Sequence, residues 1–127
     1  MALAHAQPLD TIDLQPLGPA LRGAVTTSLL KTASLQLMRL VLPAGQGLPE
    51  HSVAGAITVH CLEGLADVIT PTRNCHLRPG QLVMLDGGER HAVKAVTDAS
   101  LLVTVLLLPH GMARPPNPGP HHDTVEL

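Results

Sequence analysis

The chain contains no phenylalanine, tyrosine or tryptophan among its 127 residues. Its core must therefore be packed from aliphatic side chains, methionine and alanine. No aromatic ring is available to stack on a nucleic-acid base, although sites for single-stranded nucleic acid rely on such stacking. With a net charge of −2 and a pI near 6.4, the chain also lacks the excess of basic residues that is typical of a phosphate-binding surface. We therefore expect no nucleic-acid partner.

Charged residues are few and long apolar runs are missing. Charged residues make up 14% of the chain and hydrophobic residues 45%, a balance that predicts a folded single domain. The most apolar run, Leu101 to Leu108, is too short to span a bilayer and is typical of a buried strand. The first eight residues lack the basic and apolar segments of a secretory signal. These features predict a cytoplasmic protein with no membrane partner.

Cysteine is also scarce. Cys61 and Cys75 are the two cysteines, too few for a disulfide framework, and a bond between them is not expected in a reducing cytoplasm. Free cysteine behaves mostly as a small hydrophobic residue, so we interpret Cys61 first as a buried structural thiol.

Short apolar segments separated by glycine, proline and acidic turns run through the middle of the chain. About nine or ten such segments at regular spacing, with no convincing helix, predict an all-β sandwich or barrel. The segment Leu35–Leu42 is apolar on both faces, and within it Arg39 is predicted to extend along its stem to the surface, with an anion contact in a pocket as the alternative. Three regions are predicted: residues 1–27 as an arm with an edge strand at residues 11–14, residues 28–108 as the barrel, and residues 109–127 as a Pro-rich, disordered tail.

Two motifs with matched spacing lie between Gly45 and His91. In the first, five residues separate Gly45 from His51, and the motif closes at Gly64. The second has the spacing Gly80, Asp86, Gly88, His91. These motifs resemble those of the cupin superfamily, and the chain is similar to a small single-domain, RmlC-like bacterial cupin. The resemblance implies a cupin-type double-stranded β-helix, also called a jelly-roll barrel.

The chain departs from the family's motifs at the metal ligands. In metal-bearing cupins three histidines and a glutamate converge on a divalent ion, whereas here Val53 and Ile57 stand at two of those four positions. The resemblance therefore implies a degenerate metal-binding motif, because two imidazoles alone rarely hold a metal. Cys61 lies four residues after Ile57 and should share its interior face, so it is a candidate third ligand. The predicted ligand pocket comprises His51, Val53, Ile57, Cys61, His91 and either Val83 or Met84, and the metal ligands, if there is a metal, are His51, His91 and Cys61.

Three functions remain open at this stage. The first is a small-molecule-binding barrel that acts as a sensor or accessory module and needs no cofactor. The second is a cupin enzyme of the isomerase, decarboxylase or dioxygenase type that uses His51 and His91, either with a divalent transition metal or with a histidine as general base. The third is a barrel filled by its own side chains that acts only through its surface. Cupins of this size usually dimerise, and the doubly apolar strands fit that, so we expect a homodimer.

Overall fold

The computed structural model describes residues 4–108. The tail predicted to be disordered, residues 109–127, lies outside the described residues. Within the described part of the chain there are nine β-strands and one short 3-10 turn at Gly18–Leu21, and no helix long and apolar enough to cross a membrane. The strands are β1 Thr27–Lys31, β2 Leu35–Leu42, β3 Gly47–His51, β4 Ile57–Glu63, β5 Ala66–Ile69, β6 Asn74–Leu77, β7 Leu82–Leu85, β8 His91–Ala95 and β9 Ala99–Leu106.

The strands form two antiparallel sheets. The five-stranded sheet has the order β1-β2-β9-β4-β7, and the four-stranded sheet has the order β3-β8-β5-β6. Strands distant in sequence are neighbours in space: β9 lies between β2 and β4, and β8 lies between β3 and β5. This interleaved pairing is typical of a jelly roll and differs from a simple meander. The predicted all-β class is confirmed.

The core lies between the sheets and follows the alternation of side chains along each strand. In β4, Ile57, Val59 and Cys61 are buried, whereas Thr58 and His60 are only partly so. Their cross-strand partners on β9 continue the same layer, since Leu101 and Val103 are also buried. Apart from Cys61, the buried hydrophobic residues are aliphatic, consistent with the absence of Phe, Tyr and Trp.

The arm before β1 does not contain the predicted edge strand. Residues 11–14 have no regular secondary structure. Side chains of the barrel hold the arm instead, because the Glu63 carboxylate accepts hydrogen bonds from the backbone N–H groups of Leu17 (2.8 Å) and Gly18 (3.1 Å).

Arg39 does not reach the surface, contrary to the prediction, and it does not contact the pocket. It is 7% exposed, and its Nη2 donates to the carbonyl oxygen of Gln15 at 2.7 Å and lies 3.3 Å from Oε2 of Glu63. The hydroxyl of Ser100 completes the cluster, 3.3 Å from Arg39 Nη2 and 2.7 Å from Glu63 Oε2. The arm covers this outer face of β2, so the guanidinium finds a carboxylate and a carbonyl there instead of water.

Candidate ligand-binding site

A cavity of about 430 Å³ lies between the two sheets. Strands β2, β4 and β9 form one wall, and β3, β8 and the loop after β3 form the other. The first wall is aliphatic, with Met38 and Leu40 from β2, Ile57 and Val59 from β4, and Val103 from β9. Pockets for small molecules in proteins have volumes of roughly 300–1,000 Å³ and mostly apolar walls. The cavity is therefore large enough for a small organic molecule.

Two histidines supply polar atoms to this cavity. His51, the last residue of β3, and His91, the first of β8, are direct partners across the β3–β8 pair. Their ring centroids are 4.4 Å apart, and the ring planes are inclined by 56°. His91 is 2% exposed, whereas His51 is exposed. The structure thus brings together the two histidines that the motifs predicted, one inside the barrel and one at the cavity mouth.

Both imidazoles are oriented by the same backbone contact. Nδ1 of His51 lies 3.0 Å from the carbonyl oxygen of Pro49, and Nδ1 of His91 lies 2.9 Å from that of Glu89. A carbonyl oxygen can only accept a hydrogen bond, so each Nδ1 must carry the hydrogen. In the neutral ring Nε2 is then an acceptor with a free lone pair. Among residues 4–108 neither Nε2 atom has a hydrogen-bond partner.

The two aliphatic motif positions also line the cavity. Val53 follows His51 in the loop after β3, and Ile57 begins β4. Both were predicted as pocket residues, and the structure places both beside the histidines. Where the family's motif has a histidine and a glutamate, this cavity has branched hydrocarbon side chains.

Cys61, which was predicted as a pocket residue and candidate ligand, does not line the cavity. It shares the inner face of Ile57 as the alternation predicted, but it lies about 13 Å further along β4. Its thiol is fully buried and lies 3.6 Å from the carbonyl oxygen of Glu63 and 3.3 Å from that of Gly64. Burial is the largest influence and raises the pKa of the thiol; the Glu63 backbone partly offsets this rise, and the nearby Glu63 charge adds to it. It is therefore kept as a thiol, whereas metal ligation requires the thiolate.

Neither alternative on β7 reaches the cavity. Val83 is opposite Val59 and packs against the core, whereas Met84 is opposite Thr58 on the outer face and is 57% exposed. Strand β7 is at the edge of its sheet, beyond β4, and so its inward side chains meet the core away from the cavity.

Sequence reasoning missed the contribution of β2 and β9 to the walls. By alternation Met38 and Leu40 share one face of Leu35–Leu42, and that is the face that lines the cavity. The opposite face is equally apolar in sequence, so the pattern cannot say which one points inward. Glu50, which precedes His51, pairs with Arg90 at 2.9 Å at the surface.

The described residues do not fit a resident metal ion. Within residues 4–108, no group of three or more His, Cys, Asp or Glu side chains is arranged to hold one. Structural and catalytic sites commonly use three or four protein ligands, whereas His51 and His91 provide two. With Cys61 distant and Val53 and Ile57 aliphatic, no third His, Cys, Asp or Glu ligand lies beside the two histidines in this part of the chain.

The architecture is that of a small antiparallel jelly-roll barrel with an internal cavity, and solved structures share it. No protein-family model and no curated protein matches the sequence. A conserved protein of unknown function from Streptococcus pyogenes superposes with a TM-score of 0.67 at 21% identity, covering 85% of this chain and 96% of its own. A cupin superfamily protein from Desulfitobacterium hafniense gives a TM-score of 0.64 at 16% identity, covering 77% and 99%.

An RmlC-like cupin from Desulfovibrio desulfuricans gives a TM-score of 0.60 at 21% identity, covering 82% of this chain and 96% of its own. The chain therefore has the fold of the cupin superfamily, as its two motifs predicted. At sequence identities this low, structural similarity shows the fold alone, so the function has to be argued from the site.

Proposed function

We propose that this protein is a small-molecule-binding cupin barrel that acts as a sensor or accessory binding module, with a degenerate metal site. The observation that carries this proposal is that Val53 and Ile57 line the cavity beside His51 and His91. A cavity with aliphatic walls and two oriented hydrogen-bonding atoms has the composition of a small-molecule site, in which a few polar groups fix the orientation of the ligand. The cavity volume argues against a barrel filled by its own side chains.

A ligand screen tests this proposal. Equilibrium dialysis of the untagged protein against a cellular small-molecule extract, read by mass spectrometry, is expected to show at least one retained compound. Val53→Trp should release that compound, because the indole would occupy the cavity. Val96→Trp is the matched control, since Val96 is 53% exposed and does not line the cavity. Retention of nothing by the wild type, or equal retention by Val53→Trp, would contradict the proposal.

A metal-dependent cupin enzyme is the second candidate. It is favoured by the hydrogen bonds that fix Nδ1 of His51 and of His91, since metal-bound histidines are commonly oriented through their other ring nitrogen in this way. The candidate requires ligands beyond the His, Cys, Asp and Glu side chains of residues 4–108. Elemental analysis of the wild type and of His51→Ala distinguishes it from the first.

We also propose that the protein is a cytoplasmic homodimer. Leu82 and Met84 support an association surface, because both project from the outer face of β7 and each is more than half exposed. This differs from the surface expected on β2, whose outer residue Arg39 is covered by the arm. Apolar side chains grouped on an outer sheet face are a common feature of interfaces between subunits.

A further inference from the structure

We infer that the cavity selects an uncharged molecule with an aliphatic body and a hydrogen-bond-donating head group, of which a primary alcohol is the simplest case. The Nε2 atoms of His51 and His91 are the acceptors for that head group. This inference rests on the proposed function, since it names the chemical class of ligand for the same cavity.

The direction of the hydrogen bond follows from the backbone contacts of the two rings. Because Pro49 and Glu89 take the Nδ1 hydrogens, the neutral imidazoles present two acceptors and no donor to the cavity. A ligand atom that can only accept, such as an ether oxygen, would leave both Nε2 atoms without partners. Buried polar groups without partners are costly, so the cavity discriminates against such a ligand.

The remaining polar side chain in the walls, Gln36, does not reverse this preference. Its amide nitrogen lies 3.3 Å from the hydroxyl of Ser28, to which it donates. The rest of its amide group offers one N–H and one carbonyl oxygen, so Gln36 can serve a donor or an acceptor equally. The preference for a donor comes from the two histidines.

The neutrality of the ligand follows from the charges around the cavity. No Asp, Glu, Lys or Arg is among the described residues that line it. The nearest charges in sequence, Glu50 and Arg90, flank the two histidines and neutralise each other at 2.9 Å. The buried Arg39–Glu63 ion pair lies on the outer side of β2 beneath the arm. A carboxylate or ammonium ligand would therefore lose its hydration without gaining an opposite charge.

The shape of the ligand body follows from the walls. Met38, Leu40, Val59 and Val103 present methyl and methylene groups, and the chain has no Phe, Tyr or Trp that could add a flat apolar wall. Such walls gain free energy from burying any aliphatic surface, in proportion to its area. These walls do not require a flat or charged group in the part of the ligand that is remote from the histidines.

Calorimetric titration with four matched compounds tests the inference: hexanol, pentyl methyl ether, hexanoate and hexylamine. Hexanol and the ether are isomers with the same number of carbon atoms, but the oxygen carries a hydrogen only in hexanol. Hexanol is expected to bind about tenfold more tightly than the ether, the ratio that corresponds to a buried hydrogen bond worth about 1.4 kcal/mol. Hexanoate and protonated hexylamine are expected to bind more weakly than hexanol.

Variants of the two histidines test whether these residues cause the preference for a hydrogen-bond donor. His51→Leu and His91→Leu should each reduce the ratio of the affinity for hexanol to the affinity for the ether. In the double variant the two affinities should be equal. His51 is exposed, so His51→Leu tests the inference even if replacing the buried His91 impairs folding. Val105→Ala is the matched control, because it alters an aliphatic wall residue. It should weaken the binding of both compounds and preserve the ratio of their affinities.

Equal or tighter binding of the ether, tighter binding of a charged compound, or binding of hexanol only after a metal is added would overturn the inference. Those results would leave the proposed binding function standing. Absence of binding by all four compounds would also overturn it, whereas the proposed function fails separately, when dialysis retains no compound.

Discussion

Replacing Gly64 with alanine is expected to leave little native protein. Gly64 has φ +80°, a conformation that alanine adopts at a cost, and an added Cβ would lie 2.1 Å from the carbonyl oxygen of Asp98 and 2.8 Å from Cα of Ala99. Both obstacles are backbone atoms, so relief requires separating β4 from the start of β9. We expect a loss of more than about 4 kcal/mol in the free energy of unfolding, against a total of about 5–15 kcal/mol for a typical domain.

Gly80→Ala is the matched control for that change. Gly80 has φ +87°, but an added Cβ there meets no atom within 4 Å. Only the backbone strain remains, and the expected loss is about 1–2 kcal/mol. Urea unfolding followed by far-ultraviolet circular dichroism measures both, because the chain has no tryptophan to report by fluorescence. Equal losses in the two variants would show that close contact at Gly64 is unimportant.

Glu63→Gln is expected to destabilise the protein by about 3–5 kcal/mol, because it leaves a buried cation without its counter-charge. The side chains of Arg39 and Glu63 are 9% and 13% exposed. The carboxylate also accepts the backbone N–H groups of Leu17 and Gly18, and an amide nitrogen could not replace either oxygen there. The same variant should loosen the arm, which can be measured as faster amide exchange at Leu17 and Gly18.

Glu50→Gln provides the comparison at the surface. Glu50 pairs with Arg90 at 2.9 Å, but their side chains are 48% and 70% exposed. Exposed pairs typically contribute no more than about 1 kcal/mol, so this variant should be close to wild type in urea unfolding. A small loss in Glu63→Gln, similar to that in Glu50→Gln, would contradict the structural role given to the buried cluster.

The contribution of Glu63 should also depend on pH. Burial alone would raise the pKa of Glu63, but hydrogen bonds from the Leu17 backbone, the Ser100 hydroxyl and the Gly18 backbone, together with the Arg39 charge, lower it below 4.5 overall. A lowered pKa means that the stabilisation is present above about pH 4.5, the ordinary value, and is lost as the pH falls through the folded-state pKa. The difference in stability between wild type and Glu63→Gln should therefore narrow in acid.

The fold could be predicted because the residues that mark its turns and motifs can be read directly from the sequence. Glycine and proline mark the turns, and the spacing of Gly45, His51, Gly64, Gly80 and His91 matched two motifs in the right order. Strand β3 was not recognised as a separate strand. Its sequence is Gly-Leu-Pro-Glu-His, four of its five residues are exposed, and it forms an edge of its sheet, so it shows no alternation of apolar and polar residues.

The site could be predicted only in part, because sequence alternation gives the face of a residue and not its depth. His51, His91, Val53 and Ile57 lie at the cavity as expected. Cys61 shares the face of Ile57 but lies beyond the end of the cavity, and only the three-dimensional arrangement reveals that distance. Arg39 was misjudged for a similar reason: the arm that covers it comes from a segment more than twenty residues earlier in the chain.

We propose that His51 and His91 serve a small-molecule cavity and do not hold a resident metal. Elemental analysis of untagged protein, purified without a nickel column, tests it most directly when wild type and His51→Ala are measured together. We expect no stoichiometric metal in either sample. A stoichiometric metal in the wild type that is lost in His51→Ala would instead show that His51 holds a metal and would favour the metal-dependent alternative.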